Sequence, residues 1–156
     1  LKGLNTIFDL KLSDAVLEEH AAELGSDCAF FVKGGTQMSL GRGEILQPID
    51  VDLTGYYLKL VYPSLHIGTG EAYGNVHFHS DVSGYDKLIQ GDFTGLINSF
   101  EEHAFSKYPE LEDIKQGLRN DGAFYVAMSG SGSSIFGLFH EAPQPTNAEN
   151  IWIHRL

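Results

Sequence analysis

The chain has 156 residues, 42% of them apolar and 20% charged, a balance that excludes a disordered tract and gives one soluble globular domain with a real core. A formal charge of −11 leaves no basic stripe for a nucleic-acid duplex, and no apolar run approaches the roughly 20 residues of a membrane span. Cys28 is the single cysteine, so an internal disulfide is excluded and a reducing, cytoplasmic setting is expected. In chain order, Leu1, Leu4 and Phe8 open on a helical spacing with no initiating Met and no signal-peptide pattern, as in a fragment or a processed form. Ser13 reads as the N-cap of a helix that starts at Asp14, shows an apolar face of Ala15, Leu17, Ala21, Ala22 and Leu24, and stops at Gly25. Residues 26–32 read as a turn into a buried apolar segment. Residues 36–40 and 44–49 read as short strands around Gly41-Arg42-Gly43, a hairpin signal.

The strongest strand spans 55–62 and is stopped by Pro63. A helix is expected over 69–76, followed by helices over 85–88, 93–100 and 111–118, with Pro109 at a first-turn position. Residues 123–127, 134–139 and 151–154 read as strands, and 142–150, with two prolines, as a loop. The order predicts an α+β fold, an antiparallel sheet with helices mainly on one face.

Between the last hairpin strands lies Met128-Ser129-Gly130-Ser131-Gly132-Ser133-Ser134-Ile135. Glycine admits backbone conformations closed to other residues, so successive N–H groups there can converge on an anion. The stretch is therefore either a phosphate neighbour or a plain hairpin loop. A Walker lysine is absent, and the serines do not sit on a strand-to-helix turn as a nucleophile elbow requires. Asp27 follows Gly25-Ser26 and precedes an apolar run. It is either a carboxylate poised near a ligand or a cap for the next turn. Thr69, between Gly68 and Gly70, is either a ligand-side hydroxyl at a helix N-terminus or an N-cap. Tyr73 either presents its ring to a base or sugar or packs in the core, and Glu71 suits the first turn of the helix electrostatically. His77 and His79, in His77-Phe78-His79-Ser80-Asp81, would share one face of an extended segment. No third ligand has a suitable spacing, so they read as surface histidines and no metal site is expected. Asp50, Asp52, Glu101 and Glu102 read as solvated faces.

Three blocks stand in one order: Leu24-Gly25-Ser26-Asp27-Cys28-Ala29-Phe30-Phe31, then His66-Ile67-Gly68-Thr69-Gly70-Glu71-Ala72-Tyr73, then the Gly-Ser loop. With Leu4-Asn5-Thr6-Ile7-Phe8, Gly41-Arg42-Gly43-Glu44-Ile45-Leu46 and Tyr108-Pro109-Glu110-Leu111, they resemble the C-terminal half of the GHMP-superfamily small-molecule kinases over nearly the whole chain. The resemblance implies a ferredoxin-like C-terminal domain over residues 1–156. The N-terminal ATP-binding domain, with its Gly-Gly-Gly-Ser-Ser phosphate cradle and substrate-side lysine, would be missing in cis, and the fragment alone would be inactive. The Gly-Arg-Gly-Glu and Thr-Gly-Glu-Ala-Tyr blocks favour the members of non-mevalonate isoprenoid synthesis over galactose, homoserine or mevalonate kinases. A non-catalytic ligand-binding or oligomerisation module is the reading from another class. For the favoured members the resemblance implies transfer of the γ-phosphoryl group of ATP, with Mg2+, to the 2-hydroxyl of 4-diphosphocytidyl-2-C-methyl-D-erythritol. The cytidine-diphosphate substrate is then the small-molecule partner, with neither nucleic acid nor membrane. Asp27 would be the catalytic base, Thr69 and Gly68 would lie near the substrate, and Tyr73 would stack on the cytosine. Ser129, Gly130, Ser131, Gly132 and Ser133 would neighbour the phosphate loop. Gly68 and Gly70 depart from the pattern, standing where many relatives have Ser and Ala or Pro.

Overall fold

In the computed structural model, which describes residues 1–77, 83–146 and 148–156, the opening apolar residues fall on helix α1 (Lys2–Ile7). Ser13 caps α2 (Asp14–Leu24) as its sequence dictates, its Oγ accepting from the Val16 N–H at 3.4 Å, and the Gly25 N–H closes the helix on the Ala21 carbonyl. The segment after Asp27 is a six-residue helix, α3 (Cys28–Lys33), rather than a uniformly buried run. A three-residue spacing puts Ala29 and Val32 on its buried face and leaves Phe31 77% exposed. Leu17, Ala21 and Val32 form a small core with Cys28 against it. Strands β1 (Gln37–Leu40) and β2 (Ile45–Pro48) make the expected antiparallel hairpin, with Leu40 opposite Ile45. These elements lie in one compact unit, Leu1–Val51; a second unit spans Asp52–Leu156.

The second unit opens with β3 (Tyr57–Val61), then α4 (Thr69–Asn75), α5 (Ser83–Leu88), α6 (Glu101–Lys107) and α7 (Pro109–Asn120). Strands β4 (Tyr125–Met128), β5 (Ile135–Phe139) and β6 (Ile151–Arg155) follow. All pairings are antiparallel in the order β4-β5-β3-β6. Counted within this unit the order is 2-3-1-4, the ferredoxin-like arrangement in which a helical crossover carries the chain past a central strand. Pro109 is the first residue of α7, where a missing N–H costs nothing. Helix α7 packs on β4 and β5, and α6 packs on α7. Period-two alternation sends Val61, Val126, Met128, Ile135 and Phe139 into one core with Ala104, Leu111 and Leu118. On the same face Lys59, only 8% exposed, donates to Asp121 Oδ2 at 2.6 Å.

Residues 93–100, expected to be helical, are instead a run of turns. Asp92 Oδ1 accepts from the Thr94 N–H at 2.8 Å, Gly95 takes φ +92°, and Asn98 Oδ1 accepts from the Phe100 N–H at 3.0 Å. These local side-chain bonds offer the backbone an alternative to the helix ladder. The helix begins at Glu101 instead.

Candidate functional site

The residues expected to act on a ligand fall in both units, and each unit is taken by itself. In the first, Asp27 occupies the N-cap position of α3 with helical φ/ψ, and its side chain makes no capping bond. Its hydrogen-bond partner is the Ser26 hydroxyl, which donates to Oδ1 at 3.3 Å. The carboxylate is exposed, neither spent on a cap nor desolvated. Across from it stands the hairpin turn: a Cβ on Gly43 would lie 2.7 Å from Asp27 Oδ1, and Gly43 holds φ +118°. The Leu-Gly-Ser-Asp block thus meets the Gly-Arg-Gly-Glu turn, and glycine at 43 is what lets them approach. The turn is closed by Glu44, whose carboxylate accepts from the Arg42 N–H at 2.8 Å. Its own backbone amide and then that of Arg42 hold the Glu44 carboxyl below its ordinary range.

In the second unit the N-cap of α4 is Gly68, so Thr69 is the first helical residue and not the cap; it is exposed. Tyr73 is 59% exposed, which removes it from the core, and Phe100 meets its ring edge-on at a centroid distance of 5.0 Å. Glu71 does more than complement the helix end. Lys107 Nζ lies 2.7 Å and His103 Nε2 3.3 Å from its Oε1, tying α4 to α6. The Lys107 bond first, then the His103 bond, hold the Glu71 carboxyl below its ordinary range. His77 is exposed, 3.8 Å from Glu102; residues 78–81 of the histidine-rich segment lie outside the described residues.

The Gly-Ser loop is pinned from three sides. Within it, the Ser129 N–H donates to the Ser134 carbonyl at 2.8 Å and the Gly132 N–H to the Ser129 carbonyl at 3.0 Å. Toward the Thr69 block, the buried Ser133 hydroxyl donates to the Leu65 carbonyl. A Cβ on Gly132 would lie 2.7 Å from Met128 Sδ and 3.0 Å from Ile67 Cδ1. The second and third blocks are therefore in contact. On the third side Asn98 Nδ2 donates to the carbonyls of Met128 (2.7 Å) and Gly130 (2.8 Å). Glu101 Oε1 accepts from the Met128 N–H at 2.7 Å, while its Oε2 meets Lys115 Nζ at 2.5 Å.

Asn98 and Glu101 are the residues that sequence reasoning missed. Glu101 is no solvated face: its side chain is only 14% exposed. The available signal was an Asn two residues before Phe100 and an acid opening a helix, but their partners lie 27 to 32 residues away. Among the described residues, no group of three or more His, Cys, Asp or Glu side chains is gathered as a metal would need. Among those same residues, no helix is long and apolar enough to cross a membrane.

Residues 86–155 match the family described as GHMP kinases C terminal. The 4-diphosphocytidyl-2-C-methyl-D-erythritol kinase of Bacteroides fragilis (strain YCH46) is 43% identical over 143 residues, covering 89% of this chain and 52% of that protein. The kinase of the same name from Azobacteroides pseudotrichonymphae is 42% identical over 156 residues, covering 97% of this chain and 58% of its own length. A crystal structure of 4-(cytidine 5'-diphospho)-2C-methyl-D-erythritol kinase superposes with a TM-score of 0.74 at 30% identity, over 88% of this chain and 52% of that one. The chain thus spans little more than half the length of the curated relatives it matches. Residues 86–155 thus form a GHMP kinase C-terminal domain and supply three of the four strands of the ferredoxin-like sheet.

Proposed function

We propose that this chain is part of a cytoplasmic ATP-dependent kinase that phosphorylates the 2-hydroxyl of 4-diphosphocytidyl-2-C-methyl-D-erythritol in non-mevalonate isoprenoid synthesis. The observation that carries this reading is 42% identity, sustained over 97% of the chain, to a kinase named for that substrate. Asp27 is the base: an exposed carboxylate with a neighbouring serine as its hydrogen-bond partner is free to take a proton. The substrate oxygen bonds to the γ-phosphorus, the bond from that phosphorus to the β–γ bridging oxygen breaks, ADP leaves, and the hydroxyl proton passes to Asp27. Such catalysis is chiefly positioning and charge stabilisation.

Thr69 and Gly68 face the alcohol. Tyr73 stacks on the cytosine, its exposed ring braced edge-on by Phe100. Ser129, Gly130, Ser131, Gly132 and Ser133 line the phosphate side. Magnesium travels with the ATP phosphates, as is usual for this ion, and is assigned no ligand among the described residues. The phosphate cradle and the substrate-side lysine come from the rest of the kinase, so residues 1–156 alone do not turn over. Calorimetry on the complete kinase tests the substrate. Binding of the diphosphocytidyl alcohol, with none of galactose, homoserine or mevalonate, supports the reading. Preference for one of those three moves the chain to another GHMP activity, and no nucleotide binding at all makes it a non-catalytic module.

A further inference from the structure

We infer that Asn98 is a positioning residue for phosphoryl transfer: by clamping two carbonyls of the Gly-Ser loop, it turns the Ser131 N–H outward as a donor to the ATP phosphates. The inference rests on the kinase reading above. Its starting point is one side-chain amide that donates to both Met128 O (2.7 Å) and Gly130 O (2.8 Å). In a trans peptide the C=O and the following N–H point in opposite directions. The 128–129 peptide shows the consequence: its carbonyl goes to Asn98 and its N–H goes the other way, to the Ser134 carbonyl. The 130–131 peptide has its carbonyl fixed in the same manner, so the Ser131 N–H faces away from Asn98. There it finds no backbone acceptor among the described residues. Gly130, at φ +56°, supplies the left-handed step that brings alternate carbonyls to a single donor.

The clamp also removes two partial negative charges from the side where phosphates would lie. Asn98 is itself fixed, because its Oδ1 accepts from the Phe100 N–H at 3.0 Å, at the start of α6. Glu101 completes the grip by accepting the Met128 N–H at 2.7 Å, so both polar groups of that residue on the free edge of β4 are held from the 98–101 corner. Glu101 and Asn98 thereby pass the rigidity of the α6–α7 pair to the loop, with the Lys115 ammonium locking Glu101 at 2.5 Å.

Asn98→Asp isolates the effect. It keeps an oxygen for the Phe100 N–H and replaces the donor with an acceptor against two carbonyls. In the complete kinase, kcat/KM for ATP should fall about 100-fold, the scale on which small misplacements act. Affinity for the diphosphocytidyl alcohol should stay unchanged. A core variant in the same unit, Ile114→Val, serves as the stability control and should leave the kinetics intact. In 15N-labelled wild-type protein the Ser131 amide resonance should shift on adding the non-hydrolysable ATP analogue AMP-PNP, and in Asn98→Asp it should not. Retained kcat/KM for ATP in Asn98→Asp overturns the inference, as does a Ser131 amide that ignores the nucleotide in an active wild-type kinase. A wild-type protein that binds AMP-PNP through Ser131 yet leaves the diphosphocytidyl alcohol unphosphorylated overturns the kinase reading and spares the clamp.

Discussion

The Gly-Ser loop and the Asp27 turn both depend on glycines at positive φ, yet they are held very differently. The loop is fastened by Asn98, Glu101 and Ser133 and has a glycine pressed between Met128 and Ile67. Asp27 has Gly43 close by and a neighbouring hydroxyl as its hydrogen-bond partner. On the proposed kinase reading, the difference follows the chemistry. Where backbone N–H groups are the working parts, their direction must be fixed in advance. Where a carboxylate must come within hydrogen-bond reach of a substrate hydroxyl, it has to be left out of caps and ion pairs.

The largest expected effect is on the free side of that comparison. Asp27→Asn should lower kcat by about 10²–10⁴ with the melting temperature unchanged, since no capping bond is lost. A near-wild-type kcat would take the base role away from Asp27. On the fastened side, Gly132→Ala puts a methyl group 2.7 Å from Met128 Sδ at φ +93°. Overpacking costs about 1–3 kcal/mol and the left-handed backbone about 1–2 kcal/mol. Gly130→Ala, at φ +56° with nothing within 4 Å of the new Cβ, should show the backbone cost alone. Urea titrations of the two variants check the ordering; equal losses would mean that the contact with Met128 and Ile67 is not tight. Next, Tyr73→Ala should weaken binding of the diphosphocytidyl alcohol by about 1–3 kcal/mol if the ring stacks on the base, read by calorimetry.

The smallest effect concerns Glu71, whose carboxyl is held below its ordinary 4.5 chiefly by Lys107 and then by His103. A depressed folded-state pKa stabilises the fold above the unfolded value, and that contribution disappears as pH falls below 4.5 through the lowered one. Thermal melts of wild type and Glu71→Gln between pH 6 and pH 3 should therefore converge toward the acid end.

Local chemistry was legible in the sequence. Ser13 caps α2 and Pro109 opens α7 where expected, and the apolar runs around 123–139 are the hairpin β4–β5. The α+β class with an antiparallel sheet followed from the same runs. The errors arose where side chains competed with periodicity. The apolar spacing of Phe93, Leu96, Ile97 and Phe100 mimics a helix, but Asp92 and Asn98 bind nearby N–H groups and bend the chain into turns. The roles of Asn98 and Glu101 were invisible for another reason: their partners on β4 and the Gly-Ser loop come into reach only through the crossover of the sheet.

The measurement closest to the central claim is phosphorus NMR of the reaction of the complete kinase with ATP, magnesium and the diphosphocytidyl alcohol. A new phosphomonoester resonance on the substrate 2-oxygen, formed together with ADP and absent with Asp27→Asn, is the predicted result. ATP left intact, or consumed without that resonance, would contradict the account.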